Sequence, residues 1–512
     1  MSTTSENNKR IAKNTALLYV RMLLMMAVQL YTSRVVLNAL GVTDFGIYNA
    51  VAGFVLMFGV ISGSLSAAIS RFITFELGRG DGEKLTRIFS TAVIIQLLIG
   101  LAIVVLGESA GLWFLNAKMN IPAERMTAAN WVLQLSLLSF VINLVSIPYN
   151  ACIIAHERMS AFACIGLLEA GGKLAIAFLI MYSPFDRLIY YGLLMCAVAL
   201  SVRLTYGVYC KRHFAECRFR WYFDTVLFRD IAGFAGWNFI GSSSGVLRDQ
   251  GVNMLLNVFC GPAVNAARGI AMQVSAAVNS FTSNFMMALN PQITKSYAQG
   301  NRSYLLTLVC QGSRLSFYLL LFLSMPILVE THAVLELWLK MVPVHTVTFV
   351  RLVLVYVMSE SISFPLVTLM LATGKIRNYQ IVVGGFQMLN FPVAYVLLKS
   401  GFAPETTMAA AIVIAFVCLA ARLYMLRGMV RLPVCYFLHR VLLNVMVVSG
   451  VSCLFPLWSA TLMEEGLPRL VLVTAVSVCS VACTVYFVGC TKAEREFVVA
   501  KSARIIRKLR NK

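Results

Sequence analysis

Hydrophobic residues in this chain come in long runs. "TALLYVRMLLMMAVQLY" (Thr15 to Tyr31) leads into "SRVVLNALGVTDFGIYN" (Ser33 to Asn49), and "AVAGFVLMFGVISGSLSAAI" (Ala50 to Ile69) follows. The polar break between the apolar runs is confined to Gly41 through Asp44, which predicts two spans joined by a tight hairpin. Such runs recur to the end of the sequence, without the ten-residue alternation of a membrane barrel. Bounded by charge clusters, they give fourteen candidate spans. The first six lie near 14–40, 46–74, 88–113, 128–154, 161–182 and 188–210. The next six lie near 230–258, 263–289, 305–329, 347–371, 378–398 and 405–426, and the last two near 440–460 and 468–490.

Composition agrees with the pattern. Of 512 residues, 59% are hydrophobic and 13% charged, where a soluble domain carries about 25% charged residues. The expectation is an all-α polytopic membrane protein. The polar, basic opening "MSTTSENNKRIAKNT" precedes a run with no small-residue cleavage pattern, so the first run is expected to remain as a span. Thirteen cysteines are scattered through apolar runs with no C-x-x-C pair, so they read as small hydrophobes; no metal site and no cofactor is expected.

Charge then orients the spans. With the N-terminus inside, the inner segments hold 27 basic residues and the outer loops 6. The positive-inside rule accordingly places both termini on the cytoplasmic side of the membrane. The net charge of +21 is thereby spent on orientation, and nucleic acid is not needed to explain it. The tail "KAEREFVVAKSARIIRKLRNK" (Lys492 to Lys512) reads as a basic surface lying on anionic membrane lipids.

The sequence also repeats. Shifted by 220 residues, Gly41 falls on Gly261 and "ITFELGRGD" (Ile73 to Asp81) on "ITKSYAQGN" (Ile293 to Asn301); shifted by 217, Ser146, Pro148 and Ala155 fall on Ser363, Pro365 and Ala372. A six-span duplication keeps both copies in the same orientation, as in alternating-access transporters whose halves are related by an axis along the membrane normal. The predicted organisation is a six-helix bundle at 1–215, a second at 216–428, two additional spans at 429–490 and a basic tail at 491–512. Pro148 and Pro365 mark expected kinks. The glycine- and serine-rich "AGFAGWNFIGSSSGVLRDQG" (Ala232 to Gly251) marks a flexible seventh span.

Ten basic residues fall inside spans: Arg21, Arg34, Arg71, Lys173, Arg203, Arg248, Arg268, Arg314, Arg351 and Arg422. Each costs about 2.5–3.5 kcal/mol at a helix centre unless something answers it. Arg71, Arg203, Arg351 and Arg422 lie near span ends and read as snorkelling. Lys173 follows Glu169 by one helical turn and reads as an ion pair. Arg34, Arg248 and Arg268 sit deeper, in spans one, seven and eight, and are the candidates for a positively charged cleft. Arg21, toward the inner side of span one, is a candidate for its mouth. Arginine suits phosphate because its planar fork binds two oxygens and keeps its proton. Snorkelling, or pairing with Asp44 and Asp249, stands as the alternative for each of the three. Asp249 and Glu360 are candidates for a coupling proton or sodium ion, or else partners of Arg248 and Arg351.

Three segments carry a family resemblance: "SRVVLNALGVTDFGIYN", "SRFITFELGRGD" (Ser70 to Asp81) and "IPYNACIIAHERM" (Ile147 to Met159). They resemble bacterial polysaccharide-export flippases, the O-antigen or Wzx-type members of the multidrug/oligosaccharidyl-lipid/polysaccharide exporter superfamily. The L-G-x-x-x-F-G-x-Y pattern from Leu40 to Tyr48 is the most specific part. The resemblance implies a fold like that of the multidrug-exporting (MATE) branch and no enzymatic step. It further implies a lipopolysaccharide-type cargo, an undecaprenyl-diphosphate-linked oligosaccharide moved from the inner to the outer leaflet. The acidic residue that drug-exporting relatives carry in span one is replaced here by Arg21 and Arg34. A cation-coupled drug exporter or peptidoglycan-precursor flippase of the same fold is the first alternative. A membrane polysaccharide polymerase or ligase is the second, and short outer loops speak against it.

Overall fold

A computed structural model describes residues 2–56, 58–117, 121–183, 186–220, 224–339, 342–491 and 494–496. Every regular element among them is a helix. Where the hairpin is expected, Gly41 breaks α1 (Ser2–Leu56) with a kink, its φ of 78° lying in the left-handed region. Glycine takes that conformation without the Cβ clash other residues meet. The second expected span is itself divided, because α1 stops at Leu56 and α2 (Gly59–Arg79) begins after a turn at Phe58.

Tight packing defines two compact units. The first comprises Met1–Ser243, Met287–Tyr304 and Leu371–Gln380. It contains α1, α2, α3 (Gly82–Leu106), α4 (Met126–Ala155), α5 (Met159–Leu179) and α6 (Arg187–His213), with parts of α7 (Thr225–Cys260) and α8 (Pro262–Ala298). Here α4 packs along α6 and α1 along α5, around a core that includes Val51, Val55, Ala129, Val132, Leu133 and Leu137. At the Gly41 end, Arg125 binds Asp44 and Asp186 together, and Arg187 donates to the Ala39 carbonyl at 3.1 Å. Burial alone raises the Asp186 carboxyl, but the Arg125 hydrogen bond and the Ile189 and Leu188 backbone N–H groups outweigh it and hold it below the usual range. Asp44 is therefore taken by Arg125.

The second unit comprises Ser244–Met286, Leu305–Met370 and Ile381–Lys512. Besides the remainders of α7 and α8 it holds most of α9 (Arg302–Val329), α12 (Phe364–Thr373) and α13 (Arg377–Met388), and all of α10 (Thr331–Leu339), α11 (Thr346–Ser361), α14 (Asn390–Lys399), α15 (Thr406–Val430), α16 (Asn444–Ala460) and α17 (Leu467–Thr484). α15 packs on α11 and α14, and α16 on α17. At one of the two expected proline kinks, α11 and α12 meet at 40° beside Pro365, whose ring nitrogen cannot donate to the preceding turn. α4 runs unbroken through Pro148.

Eleven helices among the described residues are long and apolar enough to cross a membrane, and twelve with the bent α11–α12 pair. The two predicted spans missing from that count are α7 and α8. They run 36 and 37 residues, ample in length, but their glycines, serines, asparagines and arginines dilute the apolar run. The offsets of the sequence repeat recur in the backbone. Gly41 and Gly261 are left-handed at φ 78° and 84°, Gly80 and Gly300 at 81° and 70°, and Glu157 and Gly374 at 59° and 76°.

Candidate functional site

The charges of α7 and α8 meet inside the second unit. Arg248 folds its fork onto its neighbour, Nε donating to Asp249 Oδ1 at 2.9 Å and Nη2 to Oδ2 at 3.0 Å. Its remaining arm donates to the Tyr356 hydroxyl at 2.6 Å. Arg268 is 3% exposed. One of its nitrogens donates to the Asp249 carbonyl at 3.2 Å and to Asn253 Oδ1, and its buried Nε has no hydrogen-bond partner. Among the described residues no carboxylate pairs with Arg268. Arg248, Asp249, Arg268, Ser275, Tyr356 and Thr407 line a cavity of about 40 Å³, room for a water or two. Two guanidinium groups against one carboxylate leave the cluster with an excess positive charge in a largely buried place, where an uncompensated charge is costly.

Glu360 lies one helical turn beyond Tyr356 on α11. Its neighbour is Arg422, at 3.8 Å, and Arg422 also donates to Ser363 Oγ at 3.0 Å. Two expectations are corrected here. Glu360 does not pair with Arg351, whose Nε donates to Thr331 Oγ1 at 3.0 Å. Arg422 does not snorkel, being 2% exposed, because a carboxylate and a hydroxyl meet it inside the bundle.

Arg71 and Arg203 likewise turn inward. Arg71 lies 4.7 and 4.8 Å from the Phe72 and Phe75 ring centres and donates to the Ala372 carbonyl at 3.1 Å; Arg203 lies 4.0 Å over Tyr149. Ring faces attract such cations by roughly 0.5–2 kcal/mol, which removes the need to reach the lipid head groups. Arg314, for which no partner was foreseen, holds the Gly489 carbonyl at 3.0 Å and Glu494 at 2.7 Å. Lys173 pairs with Glu169 at 2.7 Å as expected.

Of the candidate cleft residues, the structure brings Arg248 and Arg268 together with Asp249. Arg21 is in the first unit, 4.2 Å over the Phe162 ring, in a space that exists because Gly166 lacks a side chain. The Arg34 side chain lies outside the described residues. Tyr356 went unnoticed in the sequence because it stands 108 residues from the arginine it binds and looks like any span tyrosine. Glu157 was missed too. Its side chain is 1% exposed and accepts from Arg10 at 2.6 Å, Gln292 at 2.6 Å and Lys295 at 2.8 Å within the first unit. A glutamate beside a short turn gives no sign of such burial.

A family model described as "Polysaccharide biosynthesis protein" matches residues 11–297, more than half of the chain. The chain belongs to the polysaccharide biosynthesis protein family. No curated protein matches it. Among solved structures, this polysaccharide biosynthesis protein superposes on a MATE transporter in the bent conformation with a TM-score of 0.72 at 14% identity, over 83% of this chain and 96% of that one. A MOP-superfamily transporter from Pyrococcus furiosus, described by a reverse polarity of its binding pocket, gives 0.69 at 13% identity over 83% and 96%. An outward-facing MATE transporter of the MOP superfamily gives 0.70 at 13% over 83% and 97%. The fold is thus shared with these transporters, as the sequence resemblance implied.

Proposed function

We propose that the protein is a transporter that turns lipid-diphosphate-linked oligosaccharide units from the inner to the outer leaflet of the bacterial cytoplasmic membrane. It would do so for surface polysaccharide export by alternating access between two duplicated six-span halves, with both termini cytoplasmic. The reading is supported by the family, by the fold, and above all by Arg268, a buried cation that no carboxylate pairs with among the described residues, in a helix the sequence reads as a span. A diphosphate answers that charge; a cationic drug would add to it. The cavity of about 40 Å³ is too small for such a head group, so the helices around it part when cargo enters. Asp249 and Glu360 carry the coupling: protonating either carboxylate releases the arginine it holds, Arg248 or Arg422, to meet phosphate instead. Arg21 acts near the inner mouth.

The test is translocation of a fluorescent lipid-diphosphate saccharide in vesicles holding the purified protein. Wild type should render the lipid accessible on both leaflets, and Arg268→Gln, inserted at normal levels, should lower the rate at least tenfold. An unchanged rate in Arg268→Gln removes the arginine from the mechanism. Absence of saccharide-lipid movement in wild type, with drug efflux present, favours the exporter.

A further inference from the structure

The first unit contains a larger cavity that the charge argument does not use. It measures about 320 Å³, at the lower edge of the roughly 300–1,000 Å³ in which small-ligand sites occur. Its polar lining is ordered by sequence. Ser136, Ser139 and Asn143 recur at helical spacing on one face of α4, Glu169 and Lys173 are one turn apart on α5, and Tyr48 enters from the second half of α1. All the α4 and α5 members except Lys173 stand roughly 15 Å or more from either end of their helices, at 1.5 Å per residue.

Polar side chains at mid-span are costly without water or a ligand, and they mark function by default. Asn143 is nonetheless exposed, which a lipid-filled or dry space would not favour. Glu169 and Lys173 hold each other at 2.7 Å with about a third of each side chain still exposed. The lining therefore carries no net charge, yet it offers a carboxylate and an amide oxygen as acceptors and ammonium and amide N–H groups as donors. Between them lie apolar surfaces from Val55, Phe140 and Met195, and the ring of Tyr48, which Tyr191 meets edge-on from behind the lining at 4.6 Å between centres.

Alternating donors and acceptors, zero net charge and apolar flanks match one class of ligand: a neutral pyranose ring, with hydroxyls at its rim and C–H groups on its faces. We infer that this cavity is a subsite for a single uncharged sugar, a hexose or N-acetylhexosamine. It reads the glycan independently of any contact with phosphate. The inference rests on the proposal that the cargo bears a glycan, and it assigns glycan recognition to residues that proposal leaves idle.

The experiment uses full-length protein in lipid nanodiscs and a panel of methyl glycosides of glucose, galactose, N-acetylglucosamine and N-acetylgalactosamine. Saturation-transfer NMR should detect at least one, and Asn143→Leu should abolish the signal. In a parallel measurement that needs no loss of function, Asn143→Cys is exposed to a charged, water-soluble thiol reagent and read residue by residue by mass spectrometry. The new cysteine should be modified, and the bound glycoside should slow modification severalfold. Silence across the whole panel, a signal indifferent to Asn143→Leu, or an Asn143→Cys that the reagent does not reach would each overturn the subsite. Failure of the cargo proposal shows elsewhere, in the vesicle assay with saccharide lipid, so the two cannot be confused.

Discussion

A guanidinium group within a spanning helix persists only where something answers its charge, and the answers here differ residue by residue. Arg248 is answered by Asp249 and Tyr356, so its presence alone says little about cargo. Breaking a fully buried pair by removing one partner costs about 3–5 kcal/mol, and less here because the Asp249 side chain is 35% exposed, whereas replacing both with apolar residues is often neutral. Arg248→Met should accordingly lower the thermal unfolding temperature, and Arg248→Met with Asp249→Leu should restore it. If Asp249 also couples ions, the double variant will be stable yet inactive in the vesicle assay; recovery of transport together with stability would reduce the pair to scaffolding. The positions of these charges were legible from hydropathy, since an arginine in an apolar run stands out. Partners close in sequence were legible too: Glu169 for Lys173, and Asp249 as the alternative named for Arg248. The partners of Arg422 and Arg314, and the carbonyl that Arg71 meets, were not, because they come from segments distant in sequence.

Helices were legible where their apolar runs are pure, and breaks were legible where glycine or proline explains them, as at Gly41 and Pro365. The turn after α4 shows the limit of such reading. Its left-handed residue is Glu157, where the equivalent position in the repeat carries Gly374. A non-glycine residue there costs roughly 1–2 kcal/mol, so the carboxylate must contribute more than the backbone loses. It does so by meeting Lys295 and Gln292 in a nearly solvent-free position, while the half-exposed Arg10 adds little. Glu157→Gly relieves the backbone and strands Lys295. It should destabilise the protein by about 2–3 kcal/mol net, as the loss of a buried ion pair outweighs the relieved strain. Glu157→Gln, which keeps the shape, should fall between that variant and wild type in a denaturant series. A glycine variant as stable as wild type would mean that the cluster contributes no more than the roughly 1–2 kcal/mol the backbone loses, and a more stable one that backbone strain governs this turn.

For the whole molecule, the decisive question is whether α7 and α8 cross the membrane, because they carry the cationic cluster and are the helices whose apolarity falls short. Purely by hydropathy they could lie outside the bilayer and leave twelve crossings. The backbone argues otherwise: both are as long as any spanning helix, and they join at Gly261 with the left-handed turn that Gly41 makes between the first two spans. The composition that weakens their signal is the composition a transporter needs where helices line a hydrated passage and bend. The two arrangements separate at Cys260, the residue before that turn. If α7 and α8 both cross, the turn is on the outer face, six crossings plus one from a cytoplasmic N-terminus, and an impermeant maleimide added to spheroplasts should modify Cys260. If neither crosses, the turn faces the cytoplasm, and only permeabilised membranes should show the label at that cysteine. The second result would place Arg248 and Arg268 out of reach of a cargo head group and end the transport role assigned to them.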